Sequence, residues 1–313
     1  MVDLEDRVLG CLYGVALGDA LGTPFEFRRT TPKPTYTGLL LEEPTYVQFQ
    51  YSKMELPPGC ISDDTEMTLA LLNSILNKEN YNEDDAIKYY LDWANLKGTP
   101  LGKNTRALMK NITTVKGFRN RQKNILDEKS QSNGSLMRAT PLALLDNWEE
   151  SFKIDTNLTN PTKINQDCSK IYLGILRAIY KNESYELDFN DYDEPLRKYL
   201  RAGSLGEILP IDKDRGWVVF GIYVTLYALQ KGLSFQDTMD TIYRDFPGSD
   251  TDTVMAISGG IIGASLGYQT LLKESKTSIN LSRLTKYFEN TNRPKIDQTL
   301  LDKLSEYVKN IKL

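Results

Sequence analysis

Two short acidic stretches carry the side chains best suited to chemistry, and each directly precedes an apolar helical segment. The first is Ser62-Asp63-Asp64-Thr65-Glu66, and the second is Asp250-Thr251-Asp252-Thr253. Each stretch offers two aspartates and neighbouring hydroxyl groups, which are the hard oxygen donors that Mg²⁺, Mn²⁺ or Ca²⁺ prefers. Each also has a purely structural interpretation, because acids in the first turn of a helix, or a capping box, complement the helix dipole.

The two stretches gain meaning if the fold brings them together, because four aspartates then share one site. Like charges about 4 Å apart repel by roughly 4 kcal/mol per pair at an effective dielectric constant near 20. Helix dipoles offset only about 0.3–1 kcal/mol each. Such a pocket must either take up protons or recruit divalent cations. Convergence is an inference here, since the stretches lie far apart in the chain.

Two more acids stand out in the apolar, glycine-rich stretch 14–26. Asp19 lies in the middle of it and Glu26 at its end. A carboxylate such as Asp19 is costly to bury unless it is paired or hydrogen-bonded. A helix ending near Gly22 and Pro24 is the structural alternative for this stretch.

A turn is predicted at Asn133-Gly134-Ser135. Asn-Gly favours a turn, and Ser135 is expected to open the helix that follows. The backbone N–H groups of such a turn suit an anion, so phosphate contact is the functional interpretation. A plain junction between loop and helix is the alternative.

The composition of the 313-residue chain excludes several classes of site. It contains no histidine, which excludes Ser-His-Asp triads, Cys-His dyads and His-ligated zinc or iron centres. Its formal charge of −4 gives no basic footprint for nucleic acid or an anionic membrane. Cys11, Cys60 and Cys168 are widely spaced, which is typical of neither a zinc ribbon nor a disulfide framework. Such sparse cysteine use fits a reducing compartment, so we expect an intracellular protein.

Helical periodicity dominates the rest of the chain and predicts one all-α domain of many helices over residues 1–313. Glycines at every fourth position, Gly259, Gly263 and Gly267, predict a close approach by a neighbouring helix. The uncharged run Val254–Leu272 suits a buried helix better than a membrane span, and acids before the apolar stretch Val8–Leu21 make a signal peptide unlikely. Helices are predicted at 67–76, 86–97, 168–181, 196–203, 216–231, 234–245, 254–268 and 297–311, a strand at 46–51 inside an irregular excursion at 30–58, and surface loops at 112–133 and 182–194.

Taken in order, four stretches resemble the ADP-ribosylglycohydrolase family. They are Gly14…Gly18-Asp19-Ala20-Leu21-Gly22…Glu26, Ser62-Asp63-Asp64-Thr65-Glu66-Met67, Ser132-Asn133-Gly134-Ser135-Leu136-Met137-Arg138 and Asp250-Thr251-Asp252-Thr253. The resemblance runs from about residue 7 to residue 268. It implies an all-helical fold with two Mg²⁺ ions, or Mn²⁺, in a central cleft.

The resemblance also implies a role for each stretch. Glu26 would be a catalytic base or gating ligand, Asp64 would share in catalysis, and Asp19 would steady the ligands and their water. Asn133, Gly134 and Ser135 would hold the diphosphate or the adenosine-side ribose of the substrate. The metal ligands would be Ser62, Asp63, Asp64, Asp250, Asp252 and Thr253.

The activity implied is hydrolysis of the N- or O-glycosidic bond between ADP-ribose and an acceptor. The partner would be an ADP-ribosylated protein or small molecule, with nucleic acid only as an ADP-ribosylated substrate and with no membrane. The bond would break through an oxocarbenium-like state, as in glycoside hydrolysis. A non-catalytic structural or ADP-ribose-binding relative and a two-metal phosphohydrolase remain alternatives.

Three features of this chain depart from the family pattern. Many relatives carry a histidine after the Asn-Gly-Ser stretch, where this chain has Asn160. The paired glycines before the second acidic stretch are Gly248-Ser249 here. Residues 270–313 follow no family pattern, and we expect a helical tail there.

Overall fold

The computed structural model of the chain describes residues 2–26, 29–30, 34–49, 52–97, 101–211 and 214–313. These residues are mostly helical, which confirms the main feature of the predicted all-α class. The α-helices they form are α1 Leu4–Gly22, α2 Asp63–Lys78, α3 Glu83–Ala94, α4 Lys103–Met109, α5 Val115–Ile125, α6 Trp148–Thr159, α7 Lys163–Lys181, α8 Leu196–Leu205, α9 Val218–Lys231, α10 Phe235–Asp245, α11 Thr251–Leu266, α12 Tyr268–Leu271, α13 Ser275–Asn290 and α14 Gln298–Asn310. Short 3-10 helices lie at Thr23–Phe25, Asn133–Ser135, Thr140–Leu144 and Phe189–Asp191.

A small antiparallel sheet interrupts the helices in the 30–58 region. Its strands are β1 Arg29–Thr30, β2 Thr45–Phe49 and β3 Ser52–Leu56, in the order β1-β2-β3. The strand predicted at 46–51 thus corresponds to β2, and residues 50 and 51 lie outside the described residues.

The helices group into two compact units, each assembled from discontinuous segments. Unit 1 comprises Met1–Ser62 and Glu186–Thr291, and unit 2 comprises Asp63–Tyr185 and Asn292–Leu313. The single domain expected over residues 1–313 stays a prediction. Of the tail at 270–313, α13 belongs to unit 1 and α14 to unit 2.

Polar side chains define where many helices begin. Asp3 precedes α1, Thr162 precedes α7 and Asp297 precedes α14. Each side-chain oxygen accepts a hydrogen bond from the backbone N–H three residues later. This satisfies one of the N–H groups that a helix start leaves without an intrahelical partner.

Two local expectations were wrong. The predicted loop at 112–133 contains α5, which Thr114 caps and whose buried side chain is Phe118. With one apolar anchor and a basic exposed face, α5 lacks the periodic apolar stripe by which helices are recognised. Ser135 does not open an α-helix either, because it ends a 3-10 turn whose backbone is held by tertiary hydrogen bonds described below.

Unit 1 is built around the pair α1 and α11, which run antiparallel at very close range. Gly14 faces Gly259, and a methyl group placed on Gly14 would lie 2.1 Å from the Gly259 carbonyl oxygen. Gly10 meets Gly263 in the same way, one turn earlier on α1 and one turn later on α11. The close helix approach that the glycine spacing predicts is therefore present, with α1 as the partner.

α1 is apolar because it is buried. Within the described residues, Leu4–Phe25 is long and apolar enough to cross a membrane, yet 89% of its qualifying 18-residue stretch is buried inside the protein. A core helix has these same properties.

Candidate active site

The antiparallel register of α1 and α11 brings acids from distant parts of the sequence together. Gly18 packs on Met255 and Gly22 on Asp252, so the C-terminal end of α1 lies beside the N-terminal end of α11. As a result, carboxylate oxygens of Asp19 and Asp252 lie within 4.8 Å of each other, and both residues are buried.

Asp19 is held firmly in its buried position. Its carboxylate accepts the Ser62 N–H at 3.0 and 2.9 Å, and the Thr23 hydroxyl donates to it at 3.0 Å. These bonds compensate for burial of the charge and tie the chain at Ser62 to the end of α1. The role expected for Asp19, that of steadying metal ligands and their water, stays a prediction.

A second group of acids overlaps the first. Oxygens of Glu26, Asp250 and Asp252 all lie within 4.8 Å of one another. Glu26 directly follows the 3-10 helix Thr23–Phe25, while Asp250 and Asp252 flank the first residue of α11. Asp252 also accepts the N–H of Thr253 at 3.0 Å.

The turn that precedes Asp250 and α11 is closely packed. Gly248 lies so close to the Ile211 carbonyl that an added Cβ would be 1.9 Å from its oxygen. Ser249 is buried, and its hydroxyl donates to the Phe246 carbonyl at 2.8 Å. The Gly248-Ser249 departure from the paired glycines therefore keeps glycine where the backbone packing requires it and uses the serine hydroxyl locally.

Electrostatics makes this cluster unsuitable as a purely structural element. Carboxylates about 5 Å apart repel by roughly 3 kcal/mol per pair at an effective dielectric constant near 20. The N-terminus of α11 offsets only about 0.3–1 kcal/mol for each acid in its first turn. These acids could hold a cation, because carboxylate oxygens are the hard donors that ions such as Mg²⁺ take in proteins.

In unit 2, Asp63 and Asp64 are the first residues of α2, and Asp64 is buried. Glu66, one residue beyond Thr65, has a different function. Its carboxylate accepts the Trp93 indole N–H at 2.7 Å and pairs with Arg293. Glu66 is therefore an anchor within unit 2.

The Asn133–Ser135 turn also belongs to unit 2, where asparagine side chains hold it. Asn160 donates to the Ser132 hydroxyl at 2.9 Å, and Asn165 donates to the Ser132 carbonyl at 2.8 Å. A Cβ built on Gly134 would have the Asn160 Oδ1 as its nearest neighbour among the described residues, at 3.8 Å. Asn160, which stands where many relatives have histidine, thus lies directly beside this turn.

Sequence reasoning missed the partner of Arg138. Arg138 is fully buried and pairs with Asp155 of α6 at 2.9 Å. Arg138 ends the recognised Ser132–Arg138 motif, but its aspartate lies in an ordinary amphipathic helix. No pattern in the sequence distinguishes Asp155 from a surface acid.

Comparisons with known proteins agree with these features. The family model of the ADP-ribosylglycohydrolases matches residues 1–307. A protein of Acanthamoeba polyphaga mimivirus, provisionally named an ADP-ribosyl glycohydrolase, is 27% identical over 92% of this chain and 94% of its own length. The ADP-ribosyl-[dinitrogen reductase] glycohydrolase of Rhodospirillum rubrum is 30% identical over 45% of each chain.

A solved structure described as an ADP-ribosylglycohydrolase-related protein complex has a similar fold. It superposes with a TM-score of 0.63 at 22% identity, covering 90% of this chain and 98% of that one. The family match spans nearly the whole sequence and contains all four recognised motifs. The chain therefore belongs to the ADP-ribosylglycohydrolase family, whose members hydrolyse ADP-ribose linkages.

Proposed function

We propose that this protein is a divalent-metal-dependent hydrolase. It cleaves the N- or O-glycosidic bond between ADP-ribose and an acceptor, which is a modified protein side chain or a small molecule. The main support is the cluster of Asp19, Glu26, Asp250 and Asp252 at the start of α11, in a chain of this family. We also propose an intracellular location, which the sparse use of cysteine in this chain suits.

The residues at hand fit Mg²⁺ or Mn²⁺. The donors are carboxylates and hydroxyls, and their mutual repulsion is relieved by positive charge. From unit 1 the ligands would be Ser62, Asp250, Asp252 and Thr253.

We propose that Asp63 and Asp64 complete the ligand set of two ions. Ser62 is hydrogen-bonded to Asp19, and the chain continues directly into Asp63 and Asp64. Consecutive Cα atoms are about 3.8 Å apart, so the Cα of Asp64 lies within about 8 Å of that of Ser62. This short chain connection supports the assignment of both aspartates to the same ligand set.

The bound ion and the acidic side chains would have separate roles in the reaction. A bound divalent ion supplies Lewis acidity and lowers the pKa of water. Glu26, at the edge of the cluster and partly exposed, would accept the proton of the attacking water, with Asp64 orienting that water. The bond from the anomeric carbon to the acceptor would break with oxocarbenium-like character while the water oxygen bonds to that carbon, and the proton held by Glu26 would pass to the departing acceptor.

Substrate binding is assigned to unit 2. Asn133, Gly134 and Ser135 would hold the diphosphate or the adenosine-side ribose, with Asn160 beside them in place of the histidine of many relatives. Asn160 already donates to Ser132, so its side chain braces the turn.

The decisive assay presents defined ADP-ribosylated substrates, namely arginine-linked, serine-linked, nucleic-acid-linked and small-molecule, with Mg²⁺, Mn²⁺ or EDTA. Mass spectrometry then identifies the products. The proposal predicts intact ADP-ribose, released with a divalent ion and not with EDTA. AMP among the products would identify a phosphohydrolase, and a protein that binds neither ion nor ADP-ribose would be a structural relative.

A further inference from the structure

The guanidinium of Arg138 is buried inside unit 2 and uses its donors in three directions. Its Nε donates to a carboxylate oxygen of Asp155 at 2.9 Å, and Nη2 donates to the Asp155 carbonyl at 2.9 Å. Its Nη1 donates to the Gly134 carbonyl at 2.8 Å and to the Thr159 hydroxyl at 3.0 Å. One side chain thus connects the turn with helix α6.

The Asp155 carboxylate, which pairs with Arg138, also has a second partner. The other carboxylate oxygen of Asp155 accepts the Tyr90 hydroxyl at 2.9 Å, and the Tyr90 ring centroid lies 4.9 Å from the Arg138 guanidinium carbon. All three side chains are buried. A buried ion pair is costly to form unless further hydrogen bonds satisfy it, so this degree of satisfaction indicates a rigid unit.

The carbonyl groups of Ser132, Asn133 and Gly134 all accept hydrogen bonds from within unit 2. Gly134 presents its carbonyl to Arg138, and Ser132 presents its carbonyl to Asn165. The Asn133 carbonyl accepts the N–H groups of Leu136 and Met137. Side chains of unit 2 therefore hold the backbone at Ser132 and Gly134, and local backbone hydrogen bonds hold it at Asn133.

We propose that Arg138, locked on Asp155, is a positioning residue that sets the turn Asn133–Ser135 for binding of ADP-ribose. This rests on the proposed function, which assigns that turn to the substrate. Arg138 acts through the Gly134 carbonyl and needs no substrate contact of its own. Lysine cannot replace it, because a single ammonium group lacks the planar fork that reaches Asp155 and Gly134 together.

The test compares Arg138→Lys with Arg177→Lys. Arg177 is a second buried arginine of unit 2, and its guanidinium donates to the carbonyls of Ala143 and Leu145, away from the substrate turn. Calorimetry measures the Kd for ADP-ribose, and steady-state kinetics measures KM and kcat. The affinity for Mn²⁺ and the melting temperature are recorded for each variant.

In Arg138→Lys we expect the Kd for ADP-ribose and the KM to rise about tenfold, while kcat and the Mn²⁺ affinity stay within about twofold of wild type. Arg177→Lys lowers the melting temperature without changing the Kd. A folded Arg138→Lys protein with an unchanged Kd overturns the positioning role. An Arg138→Lys protein that is less stable or has a smaller active fraction, but has an unchanged KM, also contradicts the positioning role.

If Arg138→Lys fails to fold, Tyr90→Phe decides the question, because it removes only the hydroxyl that holds Asp155. We expect its Kd for ADP-ribose to rise about threefold at unchanged kcat. An unchanged Kd contradicts the proposal. A wild-type protein that does not bind ADP-ribose contradicts the proposed function itself, which is a separate result.

Discussion

The acids of unit 1 differ in how the protein holds them. Asp19 is fixed by the Ser62 N–H and the Thr23 hydroxyl, whereas Glu26 lies at the partly exposed edge of the cluster. Glu66, in the same motif as Asp64, is committed to Trp93 and Arg293. An acidic residue of a recognised motif can therefore be a structural anchor, and its burial does not reveal this role.

The role of Asp19 can be tested by replacing it with asparagine, which removes the charge and keeps the size of the side chain. In Asp19→Asn we expect the Mn²⁺ affinity to fall by about 10- to 100-fold, because outer carboxylates that orient ligands have effects of this size. The side-chain NH2 group of the new asparagine would also face the Ser62 N–H, and two donors cannot hydrogen-bond to each other. Titration calorimetry measures the affinity, with Asp245→Asn as control, since Asp245 pairs with Arg244 on the surface. Equal affinities in wild type and Asp19→Asn would remove Asp19 from the site.

At the scale of elements, the pair α1 and α11 determines the site. Their glycine contact fixes a register in which Asp19 meets Asp252. A shift of either helix along the other would separate these carboxylates. Packing and chemistry are therefore coupled at this contact.

Gly14→Ala tests that coupling. Its Cβ would meet the Gly259 carbonyl oxygen at 2.1 Å, and backbone on both sides leaves nothing flexible to give way. We expect the free energy of unfolding to fall by about 3 kcal/mol and the Mn²⁺ affinity to fall with it. Urea unfolding checks the first effect.

Gly232→Ala is the control, because Gly232 has a φ of +60° and no heavy atom within 4 Å of an added Cβ among the described residues. Its cost is backbone strain alone, about 1–2 kcal/mol, with Mn²⁺ affinity unchanged. If Gly14→Ala and Gly232→Ala lost the same Mn²⁺ affinity, the contact between α1 and α11 would not control the site.

Unit 2 provides a pH test. Burial raises the pKa of Tyr90 well above its usual value, and the charge of Asp155 raises it further. The folded protein keeps a phenolic proton that the unfolded chain releases above about pH 10. The unfolding free energy is therefore fully retained below that pH and declines as pH rises beyond it.

Denaturant unfolding between pH 8 and pH 11 measures this decline. In Tyr90→Phe the unfolding free energy should fall less steeply with pH, because the phenolic proton of Tyr90 no longer contributes to the difference between the folded and unfolded states. Part of the pH dependence should remain in this variant, because burial also raises the pKa values of Tyr81 and Tyr36. An identical slope in Tyr90→Phe would mean that Tyr90 ionises normally in the folded state.

The sequence predicted those elements whose signals are local. Apolar periodicity and the glycine spacing predicted α2 and α11 and a close helix neighbour. They could not identify α1 as that neighbour, because periodicity defines a face and not its partner. α5 was missed because a single buried Phe118 makes no stripe. The 3-10 turn at Ser135 and the partner of Arg138 depend on tertiary hydrogen bonds, which no local pattern encodes.

At the scale of the whole molecule, the proposal joins two acidic stretches that are distant in the chain. Unit 1 brings Asp19, Glu26, Asp250 and Asp252 together by itself. Under the proposed function, Asp63 and Asp64 at the start of α2 and the turn assigned to the substrate would come from unit 2. Family membership covers both units, since the match extends over residues 1–307.

Chelation should therefore affect stability as well as activity. A ligand that binds only the folded state at about 100 times its Kd adds roughly 2.7 kcal/mol. We expect EDTA to lower the melting temperature and to abolish release of ADP-ribose, and Mg²⁺ or Mn²⁺ to restore both. Full activity in EDTA-treated protein would refute metal dependence.

The most direct test of the central claim is a double-mutant cycle on Mn²⁺ affinity with Asp64→Asn, Asp252→Asn and the double variant. If both aspartates hold the same metal centre, each single change weakens binding at least tenfold, and the two losses are not additive. Unchanged affinity in Asp64→Asn, or two losses that simply add, would contradict a shared centre.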